Sequence, residues 1–339
     1  MENLLVNKVA AVKEVQHAAE YQKKKQACIL TGLAGSSKPV FFAAADKLLG
    51  GKGSMAFITA SREEIRTYRR ELNYLYPDLP MQELYPVSLP RVQADTQSLE
   101  LQAGRAAALR FLSGEERGIV FITAEALQQK QLRPSGMSGK ALQLAVGEEH
   151  EQRNIAAALL DLGYERTEQV DALGQFCLRG DILDVYPINS SAAVRIEWFD
   201  NELDAMRSFD VDTQRSLQTL TSIKIAPLKV DESFSYDADI FEYCTADTMV
   251  VVDEPVHVFG MLEKLDKENK EHASELFGKQ ELIEQLAANG AVLVSALGHS
   301  YLQQLPSLNI PVRAVAPYNK NTNLLVEDLQ NWLAEGLRR

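Results

Sequence analysis

Two stretches have residue types suited to chemistry on phosphates: Gly32-Leu33-Ala34-Gly35-Ser36-Ser37-Lys38-Pro39 and, far downstream, Asp253-Glu254. The first follows the apolar run Ala27 to Thr31 and precedes a helical segment from Val40 to Leu49. Strand, Gly-bearing loop, lysine and helix is the setting in which backbone N–H groups cradle phosphates and a Ser or Thr hydroxyl holds magnesium. The working spacing is G-x-x-x-x-G-K-[ST], and here it is degenerate. Gly32 and Lys38 keep their places, but Ser37 replaces the second glycine and Pro39 the hydroxyl residue. A side chain at Ser37 hinders the tight turn, and Pro39 removes both the hydroxyl and an N–H. Downstream, Met249 to Val252 is an apolar strand ending in Asp253-Glu254. In that arrangement the Asp orients magnesium and the Glu activates water. Pro255 follows at once and His257 comes one residue later than D-E-x-H requires, so a simple strand end and turn is the competing reading.

No other grouping supports catalysis. Asp181 and Asp184 have the chemistry of a general acid and base, but residues three apart on a strand face opposite ways. The histidines (His17, His150, His257, His272, His299) have no metal spacing, and no Ser-His-Asp or Cys-His set stands out. Cys28, Cys177 and Cys244 are far apart in apolar or strand-like contexts, which predicts buried free thiols. The expectation is therefore no catalytic residues and no metal site.

The elements that must position these residues alternate. A helix is expected over 7–26, ending in Lys23-Lys24-Lys25, where the macrodipole favours cations. Strands are expected at 27–31, 55–60 and 118–124, and helices after Ser61 and over 96–112. Ser61 with Glu64 has capping-box spacing. Residues 83–90 read as an irregular connection. This alternation predicts a parallel sheet of α/β type. Pro134 to Gly139 reads as a linker and 148–162 as an amphipathic helix. From Ile223 the α/β character returns, with a helix over 281–288, a strand over 291–296 and a terminal helix over 324–337. The expected division is 1–134, 135–222 and 223–339.

Between the two α/β parts, residues 174 to 216 alternate apolar with charged residues, punctuated by Gly, Pro and Asn-Ser. That period marks short antiparallel strands with one wet face. Arginines recur there at Arg179, Arg195 and Arg207 amid carboxylates, and a solvated, ion-paired sheet face is what spacing alone predicts. The order of residues says more. F-x-x-R-G-D-I-L-D-V-Y-P from Phe176, then V-R-I-E-W-F-D from Val194 and E-L-D-x-M-R-x-F-D from Glu202, resembles the second domain shared by UvrB and the bacterial transcription-repair coupling factors.

The whole chain resembles the N-terminal, UvrB-like region (domains 1a, 2 and 1b) of the coupling factors. That resemblance implies a degenerate helicase-like, P-loop NTPase-like parallel-sheet domain interrupted by an inserted α+β antiparallel-sheet domain. It implies that the inserted domain recruits UvrA to a stalled RNA polymerase, with the surface masked until the motor engages. Carried over by position, the docking residues are Arg166, Arg179, Tyr186, Arg195 and Glu197. Cys177 departs from UvrB, which has a further arginine there. The stretch from Glu83 to Gln97 is short with one aromatic, Tyr85, where UvrB carries a long aromatic hairpin. That departure and the broken loop disfavour the alternative, a UvrB-like ATPase acting on damaged DNA. The resemblance also implies that ATP, magnesium, RNA polymerase and DNA belong to other parts of a full-length translocase, this chain being a fragment without cofactor.

Composition sets outer limits. With 339 residues, 46% hydrophobic and 24% charged, the chain has the makings of two or three ordinary cores. No apolar run is long enough for a bilayer and no signal peptide opens the sequence, so a cytoplasmic protein is expected; the fragment is separately expected to be monomeric. A formal charge of −12 opposes unaided binding of duplex DNA, which rests on neutralising phosphates. Residues 140–222 carry roughly twice as many acidic as basic side chains, which fits a protein partner better.

Overall fold

In the computed structural model the described residues are 4–89, 99–134, 141–228, 236–296, 304–310, 312 and 322–334. The larger unit is a seven-stranded, wholly parallel sheet. Its strands are β1 (Cys28–Thr31), β2 (Met55–Thr59), β3 (Met81–Leu84), β4 (Ile119–Thr123), β15 (Met249–Asp253), β16 (Val292–Ser295) and β17 (Ser307–Asn309). They lie in the order β17-β1-β16-β15-β2-β4-β3. Every residue of β2, β4, β15 and β16 is buried, which is why they read as unbroken apolar runs. One face is covered by α1 (Leu4–Ala10), α2 (Lys13–Lys23), α3 (Ser37–Leu48) and α4 (Arg62–Leu75). The other face packs α5 (Leu99–Leu112), α6 (Ala124–Gln128), α8 (Pro255–Glu268) and α9 (Lys279–Ala288). The later strands β15 and β16 sit between β1 and β2, so the two chain segments interleave into one core.

The inserted unit is a second sheet. It contains β7 (Glu165–Arg166), β8 (Gln175–Arg179), β9 (Ile182–Val185), β10 (Ala193–Phe199), β11 (Glu202–Phe209) and β12 (Ser216–Thr219). The order is β12-β11-β10-β9-β8-β7, antiparallel except for the short β7–β8 pair. Phe176, Leu183, Val185, Val194, Ile196 and Trp198 turn inward to a core shared with α7 (Gln152–Asp161). A small antiparallel pair of β6 (Leu142–Ala145) and β13 (Ser222–Ile225) closes this core with Leu144 and Ile225. That pairing, and the Leu228 N–H bonded to the Leu162 carbonyl, carry the unit past the boundary expected at residue 222. The helix terminal to the chain, α10 (Thr322–Ala334), has no buried residue. The unit is tied to the large domain by a pair of β5 (Gln131–Leu132) and β14 (Tyr236–Ala238) near its stem.

Three local expectations change. The helix expected over 7–26 is two helices, because Val12 is extended and tighter turn bonds from Ala11 and Val12 to Lys8 and Val9 end the first. The break lets Val6 and Ala10 as well as Val15 and Ala18 reach the same core. The connection expected from 83 begins as the end of edge strand β3, with Glu83 buried against Arg62. Residues 135–139 of the expected linker, 96–98 of the expected helix and 335–337 of the terminal helix lie outside the described residues. Ser61 and Glu64 form the expected capping box.

Candidate functional site

The Gly-bearing loop and Asp253-Glu254 converge at the carboxyl ends of β1 and β15. Lys38, in the first turn of α3, is 8% exposed and donates to Asp253 Oδ1 at 2.6 Å and to Glu254 Oε1 at 2.9 Å. Burial works against its charge, but hydrogen bonds and Coulomb attraction from Asp253, then Glu254, hold its pKa above that of an ordinary lysine. Glu254 is fixed in a left-handed conformation (φ 43°) and also accepts from the Ala296 N–H at 3.1 Å. The Tyr68 phenol on α4 also hydrogen-bonds with Asp253, and its pKa is pushed up by burial and then by that carboxylate. Apolar helix spacing at Ile65, Tyr68 and Leu72 predicts a core face. It gives no sign of the polar role.

One backbone N–H of the loop is taken by the loop's own side chain. The Ser37 hydroxyl accepts from the Ala34 N–H at 2.9 Å and donates to the Ala34 carbonyl at 2.7 Å. Pro39 is buried in the first turn of α3. Gly32 has φ +87°, and a Cβ there would lie 2.7 Å from the Ile310 carbonyl oxygen. The chain after β17 continues along this glycine, with the Val312 N–H bonded to the Gly32 carbonyl at 3.2 Å. His257 is exposed on α8, and its backbone N–H is bonded to the Glu254 carbonyl at 2.8 Å.

A second cluster lies on the outer face of the inserted sheet. Strand register places Cys177, Asp184, Arg195 and Arg207 in one row across β8, β9, β10 and β11. Asp184 is 2% exposed and accepts from Arg195 Nε at 2.6 Å and its second guanidinium nitrogen at 2.8 Å. Arg179 reaches the same carboxylate at 3.1 Å while its side chain stays 54% exposed. Arg195 also stacks over Phe209, 4.7 Å from the ring centre, and its pKa is raised, chiefly by the hydrogen bond to Asp184. Glu197 pairs with Arg207 at 2.5 Å. Tyr186 is half-buried beside Cys177 and Phe209, and burial, then Asp210, pushes its phenol up.

Of the five docking residues expected from sequence, Arg179, Tyr186, Arg195 and Glu197 therefore share one face. Arg166 does not join them: it is exposed on edge strand β7, in register with inward-facing Phe176. Asp184 organises the cluster, a role its spacing from Asp181 hides. Asp181 lies in the β8–β9 turn, within weak reach of Gln152 at 3.4 Å. Cys28, Cys177 and Cys244 are free thiols; the first two are buried and Cys244 is partly buried. Among the described residues no His, Cys, Asp and Glu group has the makings of a metal site, and no helix is long and apolar enough to cross a membrane.

Comparison with known proteins adds three findings. Residues 142–230 match the family described as the UvrB interaction domain. The chain is similar to the transcription-repair-coupling factor of Bacillus subtilis, 36% identical over 203 residues, covering 59% of this chain and 17% of that protein. The Escherichia coli protein of the same description is 28% identical over 165 residues, covering 49% and 14%. That of Staphylococcus haemolyticus is 32% identical over 202 residues, covering 59% and 17%. The match thus spans less than a fifth of each of these relatives. Among solved structures, one described as truncated XPD aligns at a TM-score of 0.35 and 10% identity, over 88% of this chain and 99% of that chain, too slight a likeness to bear on function.

Proposed function

From a chain that resembles the N-terminal region of the transcription-repair-coupling factors and matches the UvrB interaction domain over 142–230, we propose a recruitment module for UvrA. The outer face of the inserted sheet is the docking surface, with Arg179, Tyr186, Arg195 and Glu197 as its contacts and Arg166 flanking them. The observation that carries this reading is the buried Asp184 carboxylate, which holds two arginines from different strands on a solvent-facing row within the matched stretch. Arginine held this way offers a planar fork to a partner's carboxylates, and Arg and Tyr are common among residues that dominate interfaces. These residues are assigned no contact with RNA polymerase or DNA and no ATP-driven translocation.

The parallel-sheet domain serves as a non-catalytic scaffold. Its donor set fits a nucleotide and magnesium poorly: Ser37 occupies the Ala34 N–H, Lys38 is spent on two carboxylates, and Pro39 offers no hydroxyl. The competing reading, an ATPase acting on damaged DNA, needs that N–H and Lys38 free and a hydroxyl in place of Pro39. Magnesium-ATP in millimolar excess should leave the melting temperature of the chain unchanged, since binding would raise it by mass action.

Calorimetric titration of UvrA with the parent chain and with Arg179→Ala tests the docking reading. We expect tight binding by the parent and a loss of about 2 kcal/mol in the variant. Absence of binding by the parent, or equal binding by both, refutes it.

A further inference from the structure

We infer that α4 and the turn after it form a second docking surface, unrelated to the two sites above, for an acidic protein segment bearing an apolar anchor side chain. At 3.6 residues per turn, Arg62, Arg66, Arg69 and Arg70 fall within roughly 100° of one another around the helix. All four are exposed, on a chain whose formal charge is −12. Arg62 is paired with buried Glu83 and Arg69 donates to the Met81 carbonyl at 2.8 Å. Arg66 and Arg70, one turn apart, have no hydrogen bond or ion pair among the described residues. The helix's own acids do not neutralise them: Glu64 closes the capping box and Glu71 accepts from Ser36 at 2.8 Å, leaving only Glu63 on the stripe. One turn beyond Arg70 stands Tyr74, 84% exposed.

Beside this stripe is a cleft of about 360 Å³ lined by Arg69, Asn73, Pro77, Leu79, Pro80 and Met81. Asp78 also borders it. The cleft sits where the chain enters β3, at the end of the sheet opposite Lys38. An apolar side chain can seat against Pro77, Leu79 and Met81 while carboxylates one helical turn apart meet Arg66 and Arg70. Their spacing of about 6 Å along the axis matches an i, i+4 pair on a facing helix. The Pro77, Leu79 and Met81 side chains in the cleft, the Asp78 carboxylate at its border and the chain's overall negative charge favour such a segment over a polyanionic nucleic acid, whose binding rests on phosphate neutralisation throughout. A central apolar anchor ringed by guanidinium–carboxylate pairs is the usual anatomy of a protein contact.

The probe is a short synthetic helix with Glu at i, i+4 and i+7 and a leucine on the same face, titrated into the full chain at low salt and followed by amide NMR shifts. Shifts confined to residues 62–81 are expected. Binding should weaken at least about tenfold in Arg66→Glu/Arg70→Glu and when the probe's leucine becomes alanine. The substituted residues are exposed, and an unchanged melting temperature separates lost docking from lost folding. No shifts in this segment, binding indifferent to the double variant, or tighter binding of oligothymidylate than of the peptide would each overturn the inference.

Discussion

Replacing Lys38 with methionine keeps the length of the side chain and removes its charge from between Asp253 and Glu254. Asp253 is 6% exposed and would lose its ammonium partner inside the core. Glu254 is less affected, because it is partly exposed and retains the Ala296 N–H. Stripping one partner from a buried pair costs about 3–5 kcal/mol, and the retained Tyr68 contact puts Lys38→Met near the lower end. At about 2–4 °C per kcal/mol for a domain of this size, the melting temperature should fall by roughly 6–12 °C. Urea denaturation of the parent, Lys38→Met and Lys38→Met/Asp253→Leu provides the assay. The double variant should recover to within about 1 kcal/mol of the parent, since an apolar replacement of a buried ion pair is close to neutral. The folded pKa of Lys38 lies above its unfolded value, so its contribution is fully present below about pH 10.4 and is lost as pH rises through the folded value. The gap between parent and Lys38→Met should therefore be flat from pH 7 to about 10 and shrink above that. A single variant that costs less than about 1 kcal/mol, or a double variant no better than the single, refutes the account of Lys38 as an internal counterion.

Other outcomes follow from the same geometry. Arg195→Met should destabilise the inserted unit by about 2–3 kcal/mol in urea, because it leaves Asp184 with one exposed partner. Arg179→Ala, whose side chain is half in solvent, should cost less than about 0.5 kcal/mol; equal losses would contradict this ordering. Burial pushes the Cys28 and Cys244 thiols up to about 12, so both should resist a disulfide reagent at pH 8 until the chain unfolds. Rapid labelling of either in the native state would show the packing is wrong there. Gly32→Ala should push the chain at Ile310 away by steric contact and strain at positive φ. Hydrogen exchange at the Ile310 amide, bonded to the Thr31 carbonyl at 2.8 Å, should then speed up selectively.

Legibility in the sequence followed how local each signal was. Runs such as Met55 to Thr59 and Ile119 to Thr123 are apolar throughout because both faces are covered, and they can be read without knowing their neighbours. β3 hides because Gln82 and Glu83 are polar, the latter buried only by virtue of Arg62 on α4. The break at Ala11-Val12 hides because neither residue is a breaker; helix packing, not local preference, decides it. The place of β15 between β16 and β2 has no local mark, since parallel pairing across hundreds of residues depends on the whole topology. The charged loop and Asp253-Glu254 were each legible as motifs. Their mutual neutralisation through Lys38 was not, because it joins residues 215 positions apart.

On the outer face of the inserted sheet, ordinary strand pairing leaves room for the proposed docking role in the same residues. Asp184 could not remain buried without compensation, and Arg195, only 18% exposed and bound through two nitrogens, supplies nearly all of it. Arg179 is then supernumerary for stability: it touches the same carboxylate through one longer bond and keeps its remaining donors in water. An arginine placed so can turn toward a partner's carboxylate without orphaning Asp184, whereas Arg195 cannot. Glu197 is intermediate, since its release would free Arg207 on a half-exposed pair. The sequence resemblance alone ranks these residues together. The geometry separates them, making Arg195 the support, Asp184 the hub and Arg179 the group free to bind.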